Sequence, residues 1–194
     1  KIIPEGSSRT IALEAGEIDF IIEVEAMDAD RLEENSDIEV IQFNHTSHNW
    51  LMLNNEKPGL DNQDVRHAIN SAIDKESVVT VAYNGLAVPS ISAVPMNFEG
   101  ATEENADVYD VEKAKEYMDK SGVDPASIEL AIICSDDTKK RAGEVIQANL
   151  KEIGVNATIE SMDLATYLSA TAEGNYTAAI GGYTSSDLLS YVVG

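Results

Sequence analysis

The chain has one cysteine, Cys134, and so forms no internal disulfide. Cys134 closes the apolar run Leu130–Cys134, where a small buried hydrophobe is a plainer reading than a nucleophile. Basic residues are scarce: 13 Lys and Arg stand against 35 Asp and Glu, a formal charge of −22. Such a surface repels nucleic acid and anionic membranes, which excludes both as partners. Solubility is the simplest purpose of that charge. No apolar stretch approaches the length of a membrane span. Catalytic signatures are absent too, with no G-x-S-x-G elbow, P-loop, G-x-G-x-x-G, H-E-x-x-H or EF-hand loop. No enzyme and no cofactor are expected on these grounds. The sequence has neither an initiating methionine nor a signal peptide, so it reads as an excised piece of a longer precursor.

What is present is a globular composition, 43% hydrophobic over 194 residues, without an internal repeat or a dividing linker. A single domain over 1–194 is expected. Residues 60–95 are the most ordered stretch to read. Asp61 and Asn62 can cap a helix whose buried stripe is Val65, Ala68, Ile69 and Ala72, widened by Ile73. Asp74 can cap a second, short helix that Gly85 ends. Pro89 and Pro95 then mark an irregular crossing.

Around this stretch the pattern predicts helices at Ser7–Ala15, Asp28–Asn35, Val111–Ser121, Thr138–Ile153 and Leu164–Ala172. Strands are predicted at Ile18–Ile22, Ile38–Phe43, Trp50–Leu53, Ile128–Cys134, Val155–Glu160 and Tyr176–Gly182, with Asn44–Asn49 as a polar loop. The alternation gives α/β, with a mixed sheet flanked by helices.

Several of these stretches resemble a known family. "LDNQDVRHAINSAIDKESVV…YNGLAVPSISAVP" is similar to the D-x-x-V-R-x-A-(I/L)-x-x-A-I-D-(K/R)…G-x-A-x-P…P signature of the extracellular solute-binding proteins of peptide, oligopeptide and nickel ABC importers. "ALEAGEIDF" and the end of the third strand at Asn54 look like further family elements. So do Ala142, Val145, Ile146, Gln147, Leu150, Ile153, Gly154 and Val155, then Gly174, Tyr176, Gly182 and Tyr183. The resemblance runs from about Arg9 to the C-terminus. It implies most of one lobe of a two-lobed periplasmic-binding-protein-like architecture, without the N-terminal lobe and the C-terminal end. It also implies an extracytoplasmic monomer, in the periplasm or as a cell-surface lipoprotein, that captures a peptide or similar small solute and delivers it to an ABC permease.

Two stretches are candidates for ligand binding. After the last strand come Tyr183, Thr184, Ser185, Ser186 and Asp187, and loops at strand ends are where α/β sheets hold ligands. In peptide-binding relatives this loop carries an aspartate that neutralises the peptide's α-ammonium. Asp187 fits that role by charge, while Ser186 competes for the aligned position. The second candidate is His48, Asn49 and Trp50. His45 and His48 are spaced i, i+3, but no third ligand is near in sequence and no metal is expected. Leu164 stands where some oligopeptide binders place a tryptophan, and Ile180 where they place a basic residue, so a smaller peptide, an apolar or a sugar-like solute fits as well. Arg66, inside the signature, reads as structural, its fork tying the helix to a carboxylate or to carbonyls. Two other classes remain open from the residues alone, a stand-alone protein-interaction module and a small hydrolase with a dispersed site.

Overall fold

The computed structural model describes residues 1–43, 45–92, 94–95, 97–98, 101–104 and 106–185. Its centre is a four-stranded sheet in the order β1-β4-β2-β3, from Ser47–Leu53, Leu130–Cys134, Ala157–Ser161 and Ala178–Thr184. β1 pairs antiparallel with β4, and β2 pairs parallel with both β3 and β4, so the sheet is mixed. Among the described residues no helix is long and apolar enough to cross a membrane.

Seven helices are described: α1 (Gly6–Glu14), α2 (Ala26–Glu33), α3 (Gln63–Ala72), α4 (Lys75–Tyr83), α5 (Val111–Ser121), α6 (Asp137–Lys151) and α7 (Leu164–Ala172). The caps explain most of the boundaries. Asn62, Asp74, Asp110, Asp136 and Asp163 each accept a backbone N–H of the first turn they precede. α4 ends two residues before the expected glycine, because Asn84 itself turns left-handed at φ 50°. Arg66 is structural as read: its Nη1 donates to the carbonyls of Leu60 at 2.9 Å and Asp61 at 3.0 Å, holding the approach to α3.

Side-chain alternation splits the core into two layers. On one face Ile132, Ala178 and Ile180 pack with Val65, Ile69, Met118, Ile146 and Leu150 from α3, α5 and α6. On the other, Ile133 and Ala179 pack with Tyr167 of α7, with Met52 and Met162 against them. The winding follows from handedness. β2 leads through α6 to β3 on one side; β3 then returns through α7 past β2 to β4, and reversing direction puts a right-handed crossover on the opposite face. The C-terminal ends of β2, β3 and β4 therefore share one edge, joined by the start of antiparallel β1.

Two expected strands are not formed. Residues 18–22 and 38–43 adopt no strand, because extended backbone is only stabilised by a neighbour and none of the described residues pairs with them. Conversely, Ser47–Asn49, expected to be loop, begins β1: it pairs with Thr184, Tyr183 and Gly182. His67 of α3 has its Nδ1 2.6 Å from Asp107 Oδ2 and its ring stacked on Tyr117 at 5.1 Å.

Candidate functional site

The register of β1 against β4 builds the site. His48 lies opposite Tyr183, Asn49 opposite Gly182 and Trp50 opposite Gly181. Directly opposed residues point to one face, so His48, Trp50 and Tyr183 share the α7 side of the sheet edge. The His48 and Trp50 rings lie 5.7 Å apart, tilted by 37°. Tyr183 is 44% exposed, His48 is buried and Trp50 is half-buried. Asn49, one residue along, faces the other way and lies over Gly182, where any side chain would overlap its Oδ1. The three residues read together from the sequence thus serve two faces.

Glycine at 181 allows a close approach. A Cβ there would sit 3.0 Å from Met52 Cε, 3.3 Å from Trp50 Nε1 and 3.3 Å from Tyr167 Oη. Tyr167 is itself fixed, since its hydroxyl donates to the carbonyl of Ile180 at 3.0 Å. This tyrosine was not singled out from sequence; its signal was an aromatic one turn into a helix that follows a strand end. Leu164 opens α7 one turn earlier and is 59% exposed, an apolar surface at the same edge of the sheet.

β1 is locked at its far end by Asn54. Its Nδ2 donates to the carbonyls of Gly174 and Tyr176, both at 3.1 Å, and its Oδ1 accepts from Glu56 N at 3.0 Å. The predicted crossing after α4 passes over the near end, where His48 hydrogen-bonds the Ser92 backbone. Burial pushes the His48 imidazole below its ordinary pKa, and the Ser92 bond opposes that only in part. His48 is therefore held neutral, an aromatic and hydrogen-bonding surface rather than a cation.

Two carboxylates stand at this edge, and one of them, Asp136, is already paired with Lys139 Nζ at 2.6 Å. Asp136 caps α6 after β2, and Asp163 caps α7 after β3. The carboxyl of Asp163 is held below the usual range by its bonds with Thr166. An edge of aromatic, apolar and carboxylate groups suits an organic solute bearing an ammonium group. Ser186 and Asp187 lie outside the described residues, just beyond Ser185. Two concavities, of about 270 Å³ around Ile3 and Ile11 and about 410 Å³ around Ile128 and Thr177, lie away from these residues. His45 accepts from Ser47 N at 3.0 Å through its Nδ1. Among the described residues no group of three or more His, Cys, Asp or Glu is placed to hold a metal ion.

Comparison with known proteins decides the family. The profile of the bacterial extracellular solute-binding proteins, family 5 Middle, matches residues 1–191. The chain belongs to this family. Similar family members include heme-binding protein A of Haemophilus influenzae, 28% identical over 189 residues, which span 94% of this chain and 35% of that protein. The dipeptide-binding protein of Escherichia coli is 26% identical over the same shares. Among solved structures, the ABC transporter-associated periplasmic binding protein DppA from Helicobacter pylori, in complex with the peptide STSA, superposes with a TM-score of 0.87 at 30% identity, over 96% of this chain and 36% of that one. The chain thus spans about a third of the length of these family members. Their named solutes differ in chemistry, heme in one and peptides in the others.

Proposed function

We propose that this chain is most of one lobe of an ABC importer's solute-binding protein, and that its β1–β4 edge is one wall of the solute cleft. The solute is a peptide or a similar small molecule, held between two lobes and delivered to a membrane permease. The observation that carries this reading is the register that brings His48, Trp50 and Tyr183 onto one face, at the strand end of a chain belonging to the family.

Each residue has a physical task in this reading. Trp50 and Tyr183 offer flat apolar area, and neutral His48 fixes the Trp50 ring without adding a charge that repels an ammonium. Gly182 leaves room for Asn49 on the opposite face of the strand. Asp187 pairs with the α-ammonium, with Ser186 as the competing donor and acceptor. Leu164 takes an apolar solute side chain. Full desolvation of the solute needs both walls, so a hinge closes the lobes and the closed form docks on the permease. This is binding and release, not turnover. The protein works outside the cytoplasm as a monomer, in the periplasm or as a cell-surface lipoprotein.

The test is a titration of the 194-residue chain and of a longer polypeptide containing both lobes with the same peptides. The longer protein should bind at least a hundredfold more tightly. Equal affinities would contradict the two-wall reading.

A further inference from the structure

The two layers around the sheet are unequal. α3, α5 and α6 cover one face with a broad apolar cluster. The α7 face holds three buried residues, Ile133, Tyr167 and Ala179, with Met52, Met162, Ala170 and Tyr176 against them. α7 supplies little of even this layer. Of its nine residues, Leu164–Ala172, only Tyr167 is buried, while Leu164 and Leu168 are 59% and 55% exposed. Hydrophobic stabilisation scales with the apolar area removed from water, so one side chain carries most of what holds this helix to the sheet.

The polar bonds single out the same residue. Asp163 accepts from Thr166, Ser169 donates to Glu173, and Thr171 donates to the carbonyls of Tyr167 and Leu168, all within the helix and its ends. Among the described residues, the Tyr167 hydroxyl makes the one side-chain bond that leaves α7, to the carbonyl of Ile180 in β4 at 3.0 Å. Burial pushes the phenol above its ordinary pKa, ahead of the smaller effects of Tyr176, Asp136 and Cys134, so the hydroxyl stays protonated and donating at neutral pH.

That bond lands beside the wall. Ile180 precedes Gly181, which register places opposite Trp50. Tyr167 Oη and Trp50 Nε1 border the space left by the missing side chain, each 3.3 Å from where a Cβ would sit. A phenol oxygen that has given its proton to Ile180 can only accept, and an indole N–H can only donate, so the two groups bordering this gap are complementary. Leu164 stands three residues before Tyr167, one turn back along α7 and at the strand-end edge. Tyr167 thus sits between the two apolar parts of the wall, Trp50 on the sheet and Leu164 on the helix.

We infer that Tyr167 is a positioning residue of this wall: its hydroxyl, seated on the Ile180 carbonyl, fixes α7 to β4 and so sets where Leu164 stands relative to Trp50. This rests on the solute-wall reading above and adds to it a residue that touches no solute. Without the hydroxyl the ring still fills its place, but the helix loses its one side-chain tether to the strand.

Tyr167→Phe tests it, because it keeps the ring and removes only the bond. In the 194-residue chain the indole N–H resonance of Trp50 should shift, and the amides of Leu164–Ala172 should exchange about tenfold faster while those of α6 keep their rates. Ile133→Val thins the same layer without touching the hydroxyl; it should lower the melting temperature and leave both readings unchanged. In the longer polypeptide containing both lobes, Tyr167→Phe should weaken peptide binding several-fold, and Leu164→Ala should cost less in that background than alone. Unchanged indole and exchange readings in Tyr167→Phe, equal changes in Ile133→Val, or additive losses of affinity would each overturn the inference. If the longer polypeptide binds no peptide, the solute reading fails, and the indole and exchange readings still decide whether Tyr167 places the helix.

Discussion

Two glycines carry the same substitution with opposite expected signs. Gly143 lies inside α6, where a Cβ would meet Ile180 Cδ1 at 3.5 Å and Ile159 at 3.7 Å, ordinary contact distances. Gly143→Ala removes the helix penalty of glycine and adds a buried methyl, so it should stabilise by about 0.5–1 kcal/mol. Gly181→Ala instead inserts a methyl 3.0 Å from Met52 Cε and 3.3 Å from both Trp50 Nε1 and Tyr167 Oη. Met52 can swing aside, but Tyr167 is held by its bond to Ile180 and Trp50 by His48. Overpacking of this kind costs about 1–3 kcal/mol. For a chain of this size, about 1 kcal/mol moves the melting temperature by roughly 2–4 °C. Thermal unfolding followed by circular dichroism should show Gly143→Ala up by about 1–4 °C and Gly181→Ala down by about 2–12 °C. The chain's one tryptophan is Trp50 itself, so its emission should shift in Gly181→Ala and not in Gly143→Ala. An unshifted emission in a fully stable Gly181→Ala protein would refute the packing described for the site.

Asn54→Ala removes two donated bonds and one accepted bond at the end of β1, and should cost roughly 1–3 kcal/mol in urea unfolding; a neutral result would mean that β1 is held otherwise. His48 has a folded pKa below its ordinary value of 6.5, so the unfolded chain takes up its proton first as pH falls. Stability should therefore drop as pH falls through 6.5 toward the lower folded value, and His48→Gln should flatten that part of the wild-type profile; an identical slope would contradict the burial assigned to it. Lys75 buries its ammonium without a hydrogen-bond partner, and burial pushes its pKa down against the pull of Asp107. Lys75→Met should hold or raise stability at neutral pH, by up to about 2 kcal/mol, and a clear loss would show that the ammonium does stabilising work there.

The parts that could be read from sequence are those whose signal is local. α5 and α7 were legible to the residue, since Asp110 with Gly122 and Asp163 with its amphipathic turn mark ends that the chain makes on its own. β1 was legible only in its apolar half. Ser47, His48 and Asn49 look like loop, and what makes them strand is Tyr183 and its neighbours, more than a hundred residues later. The same distance hid the site's arrangement. Residue types singled out His48, Asn49 and Trp50 as one candidate and Tyr183 as part of another, but register alone shows that His48, Trp50 and Tyr183 share a face and that Asn49 does not. Tyr167 escaped notice because its partner is a backbone carbonyl, which carries no signature in sequence. The stretches 18–22 and 38–43 fail in the reverse way, with strong local preference and no described neighbour to satisfy it.

The most direct measurement follows the indole N–H of Trp50 by nuclear magnetic resonance, a single signal in this chain that needs no assignment by mutation. Di- to tetrapeptides titrated to tens of millimolar should move that resonance in a saturable way, and Tyr183→Ala should weaken the response several-fold. A fixed indole signal while amides elsewhere shift would place the solute away from this wall, and no shift anywhere in the chain would contradict the wall itself.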